Sequence, residues 1–481
     1  MGISLKASGF IESLALALAC TAVVLTGYNV GAFEEMELNT LDIRARQFAN
    51  AADANEDVVI AAIDESSLRT FKENGITWKW PRDFYGVLVD YLYRGGAKTV
   101  VFDVVYADPD IDRRDSDAEE TDGAFAQAMK RAGNVLLAAN LQHDRDLSKG
   151  ENPLVPGIKF PRMLAAPNIK IGERPSGVLP IPIFQQNAYG LGAVAYEPDK
   201  EDGIYRRLEP FVEYKGHVFP HLGIAAYLQA NSIDRVHYTD ERNLRIGDLE
   251  VPLDTNGRFL LYWYGQGGPD GVFKYYPIHQ LIGSAIAEQS GEKPDVPATT
   301  FKGKTVIVGA NATGLFDMRT TPFTVYEPYP GLEIYATMLS NLMGEHFLVR
   351  ADKGWVYFFV LAFAFLICLS FLGLNSIRAA IMVSAIASAG WIGASAAAYE
   401  SSRVWLDVVT PQVSIMLSFA VAAVVSYWRE GKARKQLRTM FGRYLSPVVV
   451  AEVVEKSDEI ELGGKEITGT VFFSDVKGFT E

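Results

Sequence analysis

Cysteine is almost missing from this 481-residue chain, and the two it has, Cys20 and Cys368, cannot build a disulfide framework or a four-thiolate zinc site. Both lie inside long apolar runs, which argues against even one bridge. The six histidines are scattered and suggest no metal cluster. Basic charge is short as well: 45 Lys and Arg stand against 58 Asp and Glu, and the net charge of −13 argues against general nucleic-acid binding. Charged residues make up only 21% and hydrophobic residues 49%, so the chain is not disordered. A mean hydropathy of +0.07 averages two unlike parts, and the greasier part must meet lipid.

Crossing the hydrocarbon core takes about 20 apolar residues in a helix. Four stretches qualify, Ser13–Phe33, Trp355–Leu374, Ala379–Ala398 and Val408–Trp428, and none contains a charge. Trp355, Tyr357, Tyr427 and Trp428 sit at span ends, where amphipathic rings prefer the headgroup level. The lipid bilayer is therefore the first expected partner. Arg429, Lys432, Arg434, Lys435 and Arg438 follow the fourth span and mark its cytoplasmic side. Counting back, Asn375–Arg378 and residues 1–12 are cytoplasmic, while Tyr399–Asp407 and the acids Glu34, Glu35 and Glu37 lie outside. The first run reads as an uncleaved anchor, with a signal peptide as the alternative. Either way residues 34–354 are exported.

Within that exported segment, Val58–Ile63, Thr99–Val105, Val135–Ala139 and Thr305–Val308 read as buried strands. Arg82–Tyr93 and Asp122–Ala132 read as amphipathic helices between them, and the alternation implies an α/β domain with a mostly parallel sheet. Gly190–Tyr196 and Arg206–Tyr214 read as an antiparallel insertion, and Asp108–Glu120 as a mobile acidic surface loop. Asp64 and Asp103 fall at the carboxyl ends of adjacent expected strands, where open α/β sheets bind ligands; helix caps or turn residues are the alternative. Arg82 is either an anion-binding residue at a helix start or an ordinary surface residue after Pro81.

A family resemblance rests on an ordered set of short motifs. Glu37-Leu38-Asn39-Thr40-Leu41-Asp42-Ile43-Arg44, Ile63-Asp64-Glu65-Ser66-Ser67, Trp80-Pro81-Arg82 and Gly95-Gly96-Ala97 come first, the last leading into Val101-Phe102-Asp103-Val104. Leu179-Pro180-Ile181-Pro182, Gly203–Arg207, Val308-Gly309-Ala310 and Pro330-Gly331-Leu332-Glu333 come after them. Together they resemble the CHASE type 2 extracellular sensor domain, usually followed by three membrane helices. The resemblance implies a bacterial receptor module for an extracytoplasmic ligand that the sequence does not name.

Past the fourth span, Leu437, Met440, Phe441, Tyr444 and Leu445 share one helical face, suited to packing on a second copy or on the next domain. The basic cluster beside it serves mainly as a stop-transfer and headgroup anchor. Ser446-Pro447 opens a second helix, to about Lys456. Gly469–Ser474 is a β-type run ending at Asp475, followed by Val476-Lys477-Gly478-Phe479-Thr480. An acid at a strand end beside a glycine turn suits a divalent cation or a helix cap, and amides after it can face phosphate oxygens.

Phe441–Pro447, Leu462-Gly463-Gly464-Lys465 and Phe472–Thr480, in that order, resemble the opening of a class III nucleotide cyclase domain, an α+β fold. The resemblance implies that Asp475 is a catalytic residue ligating metal, assisted by the Val476 carbonyl, and that amides of Gly478, Phe479 and Thr480 contact the triphosphate. It implies two Mg²⁺ or Mn²⁺ ions, ATP as substrate and a homodimer. The reaction is attack of the ribose 3′-hydroxyl on the α-phosphate with loss of pyrophosphate. Residues 429–464 would be linker helices and 465–481 the start of the cyclase domain. Only 39 residues follow Gly442, so a truncated, catalytically inert fragment of a longer receptor cyclase is expected, multi-pass in the bacterial inner membrane. The rival expectation is a non-enzymatic membrane sensor with a degenerate or absent cyclase domain.

The topology is testable with the native cysteines replaced. A single cysteine at Ser116 should react with an impermeant thiol reagent in spheroplasts, and one at Ser457 should stay unlabelled; the reverse pattern would invert the orientation.

Overall fold

The computed structural model describes residues 7–143, 152–164, 171–194, 197–312, 315, 318–325, 327–441 and 468–473. Two compact units emerge, one formed by Val23–Val360 with Ser388–Val413, the other by Met1–Ala22, Leu361–Ala387 and Ser414–Glu481. The helices are α1 (Ala7–Asn29), α2 (Glu34–Phe48), α3 (Glu65–Glu73), α4 (Asp83–Arg94), α5 (Ala118–Ala132) and α6 (Pro182–Asn187). They continue as α7 (Leu222–Ala230), α8 (Ile278–Gln289), α9 (Leu332–Gly344), α10 (Lys353–Cys368), α11 (Ile377–Ser402) and α12 (Val409–Phe441).

The larger unit is organised by one sheet of β1 (Val58–Ile63), β2 (Thr99–Phe102), β3 (Val135–Gln142), β4 (Ser176–Val178), β5 (Gly190–Ala193), β6 (Lys274–Pro277) and β7 (Thr305–Ala310). The order is β6-β1-β7-β2-β3, and every pairing along it is parallel. The far side of β3 carries parallel β5 along Leu136–Ala139 and antiparallel β4 along Asn140–Gln142. A parallel sheet is covered on both faces, so its central strands are continuously apolar, while the edge strand β6 is exposed to half-buried. All six residues of β1 are buried. Alternation along the strand sends Val59, Ala61 and Ile63 into one core, with Leu88 and Leu92 of α4, Phe125 of α5 and Leu281 of α8. Val58, Ile60 and Ala62 enter the opposite core with Ala225 of α7 and Leu332, Tyr335 and Leu339 of α9.

Several expectations are corrected here. Gly190–Ala193 is not antiparallel: helix α6 carries the chain back across the sheet, so β5 adds parallel to β3. Its Gly192 admits α7, since a Cβ there would lie 2.7 Å from Leu222 Cα. The Arg206–Tyr214 stretch is antiparallel in two pieces. Arg207–Leu208 pairs with Phe259–Leu260, and Phe211–Tyr214 forms a hairpin with His217–Pro220. Its turn residues Lys215 and Gly216 have φ of 49° and 77°, the mirror-turn backbone that fits strand twist. Helix α5 begins at Ala118, inside the expected loop, because its first turn is anchored by Thr121. A second core gathers around an antiparallel meander of Arg235–Asp240, Asn243–Ile246 and Leu249–Pro252.

Among the described residues four helical stretches are long and apolar enough to cross a membrane: Gly9–Asn29, Lys353–Gly373, Ile377–Ser402 and Val409–Lys432. In the smaller unit Ala17, Ala364, Ile367, Phe371, Ala380, Ile415 and Ala422 pack together, small side chains letting backbones approach closely. Ser13 Oγ donates to Gly9 O at 2.7 Å, and Glu12 pairs with Arg429 at 3.1 Å. Cys20 and Cys368 are free and buried. The expected strand at Gly469–Ser474 is not formed over 468–473, where Val471, Phe472 and Phe473 are exposed and no described strand lies alongside to pair their amides. Residues 442–467, with the helix expected from Ser446, lie outside the described residues.

The Gly95-Gly96 pair, which ends α4, has a steric explanation. A Cβ on Gly95 would sit 2.1 Å from the Ala298 carbonyl oxygen, and Gly96 has φ of 83°. Gly95→Ala should therefore cost about 3 kcal/mol and Gly96→Ala about 1 kcal/mol. Gly123, with nothing within 4 Å of its Cβ position on α5, should gain about 1 kcal/mol on change to alanine. Unfolding of the detergent-solubilised chain ranks the three.

Candidate functional site

At the carboxyl edge of the sheet, β1 and β2 are not neighbours; β7 runs between them. Asp64 follows β1 and caps α3, its Oδ1 accepting from the Ser67 amide at 2.8 Å and Oδ2 from Ser66 Oγ at 2.6 Å. Ser67 Oγ in turn lies 3.0 Å from His279 Nδ1 on α8. The motif Asp64-Glu65-Ser66-Ser67 is thus a helix start, whose acid satisfies an otherwise orphaned amide. Asp103 follows β2, half-buried, its own amide donating to Val308 O at 2.8 Å. Gly309 on β7 leaves room for it: a Cβ there would come within 3.3 Å of Asp103 Cβ.

Arg82 is neither an exposed residue nor free for an anion from solvent. It is buried, pairs with Asp122 on α5 at 2.8 Å and donates to Asp108 O at 2.5 Å. Its guanidinium lies over Tyr106 and Phe184, 5.1 and 5.2 Å from the ring centroids. The loop it touches is pinned. Asp110 accepts from the Arg82 amide, from Thr121 Oγ1 at 2.7 Å and from Arg113. Desolvation raises the Asp110 carboxyl, but those hydrogen bonds, led by Arg113, outweigh it and hold the group at about 2.

A second charged assembly surrounds α2, whose acids serve in the sequence only as markers of an exposed flank. Glu37 is fully buried, and its oxygens accept from the Val408 and Thr410 amides at 2.8 and 2.9 Å, at the start of α12. Asp42 receives a two-pronged pair from Arg206, 2.7 Å at each contact, and Arg206 also reaches Asp199 and Asp202. Arg207 pairs with Asp199 at 2.7 Å. Arg350 binds Glu34 at 2.7 and 2.9 Å, binds Asp407 at 2.9 and 3.1 Å, and lies 4.2 Å over Trp405. Arg44 donates to Ser395 Oγ and Leu406 O. Val349–Arg350 and Val404–Trp405 form a short parallel ladder that fixes the loop before α12 beside the segment entering α10. Burial lowers the Arg206 guanidinium, yet its bonds to Asp42 and Asp202 more than offset this and raise it. Two of the motifs, Glu37–Arg44 and Gly203–Arg207, contain these residues, but Arg206 and Asp42 are 164 positions apart and nothing local links them.

Glu333 of the Pro330–Glu333 motif opens α9, fully buried. Burial pushes its carboxyl up to about 7 against hydrogen bonds from Tyr275 Oη at 2.6 Å and the Gly268 amide at 2.5 Å. A cavity of about 300 Å³ lies elsewhere in this unit, with Leu136, Phe160 and Leu228 as apolar walls and Lys159, Arg162 and Tyr189 as polar ones. That is small-molecule size. Among the described residues no three His, Cys, Asp or Glu side chains are grouped to hold a metal. Asp475, Val476, Gly478, Phe479 and Thr480 lie outside the described residues.

This chain belongs to the CHASE2 family: the CHASE2 domain matches residues 15–375, about three quarters of its length. The match takes in the first two apolar helices, the sheet and the α2, Arg206 and Arg350 side of the ionic assembly, and ends ahead of its Asp407–Thr410 side and of the cyclase-like segment. No curated protein and no solved structure matches. The family and the four apolar helices together define a membrane sensor.

The Arg82 assembly should behave as a buried ion pair. Arg82→Met leaves Asp122 desolvated and unpaired and should cost about 3–5 kcal/mol, whereas Arg82→Met combined with Asp122→Leu should recover a substantial part. Melting of the two variants, compared with Asp122→Leu alone, measures the coupling.

Proposed function

We propose that this chain is the sensing and membrane part of a bacterial receptor adenylate cyclase. Its CHASE2 domain faces outward to an extracytoplasmic ligand, and the region after the fourth span faces the cytoplasm of the inner membrane. The observation that carries this reading is α12. It runs unbroken from Val409 through the basic cluster to Phe441, where the cyclase-like motifs begin. In this reading α12 would carry a change at the base of the sensor domain as far as Phe441, ahead of the linker and the cyclase segment expected after it. The basic flank at Arg429–Arg438 supports the orientation.

In the longer protein Asp475 and the Val476 carbonyl would hold Mg²⁺ or Mn²⁺, and amides of Gly478–Thr480 would receive the triphosphate of ATP in a homodimer. Bound metal supplies charge stabilisation for the attacking and leaving oxygens. A hard carboxylate at the end of an apolar run is the right ligand for such ions. The second reading, a sensor without a working cyclase, rests on the same CHASE2 match and differs only in the region after residue 441.

Asp475→Asn in the longer protein separates them. Loss of a metal ligand should lower cyclic AMP formation from ATP at least about a hundredfold, ~3 kcal/mol of barrier. A helix cap would cost only ~1 kcal/mol of stability, with activity following the amount of folded protein. Near-normal turnover per folded molecule, or no cyclase activity before mutation, favours the second reading.

A further inference from the structure

The start of α12 is held by a carboxylate from a distant helix, and that carboxylate is under opposing demands. Glu37 lies in the first turn of α2, whose other face is locked to the domain by the Asp42–Arg206 pair. Its two oxygens take the amides of Val408 and Thr410, and Thr410 Oγ1 approaches at 3.4 Å. Pro411 has no amide to offer, so these two contacts serve most of the free donors of the helix start. A helix N-terminus favours an ionised acid in this position.

The neighbours oppose it. Asp407, nearly fully buried, precedes the two amides and is a second carboxylate facing Glu37. Arg350 faces both, and it also serves Glu34. From α2, Arg44 faces Glu37; Arg207 and Lys353 face Glu34 at the edge of the cluster; and Tyr28 of the first span faces Asp407. Arg350 is therefore shared among Glu34, Glu37 and Asp407, and Arg44 is a second guanidinium facing Glu37 and Asp407. Desolvation pushes the Glu37 carboxyl up to about 7, Asp407 adds to the rise, and the Thr410 and Val408 amides with Arg350 resist it. The ordinary value is about 4.3, so the folded protein takes up a proton between about pH 4.3 and about pH 7 that the unfolded chain releases. Relative to the unfolded chain, the stability this uptake supplies is fully present below that window and is lost as pH rises through it. Local release of the α12 start has the opposite sign, because Glu37 then stays buried beside Asp407 but gives up an amide that favours its ionised form, so protonation promotes release.

The geometry points to a proton-operated clamp: Glu37 holds both amides at the start of α12 when ionised, and lets one go when it binds a proton. A protonated carboxyl turns one acceptor oxygen into a donor, so it serves only one of the two amides well. Proton uptake also relieves the repulsion from Asp407 and removes the charge that complements the helix end. Because α12 is a single helix, a change in how its first turn is held acts on the whole element. The proposal deepens the membrane-sensor reading by naming the proton as one signal, and its test requires no cyclase activity.

The test uses the full chain in lipid nanodiscs, with hydrogen exchange of the Val408–Thr410 segment followed from about pH 5.5 to about pH 8.5 and corrected for intrinsic base catalysis. Wild type should gain severalfold in protection with a midpoint near neutrality. Glu37→Gln should stay at the low-pH level throughout. Asp407→Asn should move the midpoint down by about one unit or more, since the repelling charge is gone. An infrared titration read as wild type minus Glu37→Gln should show a carboxylic-acid band lost over the same range; Glu333 titrates nearby but cancels in the difference. Protection in wild type that is independent of pH, or a step that survives in Glu37→Gln, overturns the proposal. Should Glu37→Gln fail to fold, an unshifted midpoint in Asp407→Asn overturns it equally.

Discussion

Arg206 joins parts of the chain that local structure cannot hold together. Its guanidinium takes Asp42 with two hydrogen bonds and reaches Asp199 and Asp202, in a place almost closed to water. A charge buried this deeply is tolerable only if every donor is used, so the position of one side chain fixes three others. Through Asp42 it sets the placement of α2, and through Asp199 it meets Arg207 and Arg258. With α2 fixed, Leu38, Leu41 and Ala45 pack on Leu260, Tyr262 and Trp405, and Glu37 arrives at the start of α12. Removing the arginine would leave acids without counter-charge as well as a void.

The sheet supplies the rigid reference for this assembly. Inside the edge strand β6, five parallel strands buried on both faces leave little freedom for register, because a one-residue slip would exchange the two cores. Close approaches by glycine set the helices against it: Gly95 under the Ala298 carbonyl, Gly192 under α7. Polar side chains at the carboxyl edge serve mainly the fold's own turns, as Asp64 does for α3. The charged groups that could answer a signal are instead concentrated around α2, Arg350 and Asp407, where two buried acids, Glu37 and Asp407, face each other across shared guanidinium groups.

Much of the architecture was legible in the order of residues. Val58–Ile63, Thr99–Val105 and Thr305–Val308 announce buried parallel strands because both their faces must be apolar, although the second ends at Phe102 and the third runs on to Ala310. The four spans are legible because lipid demands unbroken hydrophobicity over a fixed length. Less was legible where the outcome depended on a crossover. Gly190–Ala193 looks like part of an antiparallel insertion until α6 is seen to return the chain parallel to β3. The acidic stretch around Asp110 looks solvated until Arg82, Arg113 and Thr121 converge on it.

By itself the sequence determined which segments are apolar, where helices and strands start, and which family the motifs resemble, since each depends on neighbours within a turn or a strand. Tertiary structure alone decided that Glu37, Asp42 and Asp407 are buried rather than a wet flank. It alone paired Asp42 with Arg206 and Glu37 with Thr410. The reason is physical: a charge announces nothing about its partner until folding brings the two within a few ångströms, and whether it is solvated or buried depends on what else is brought there.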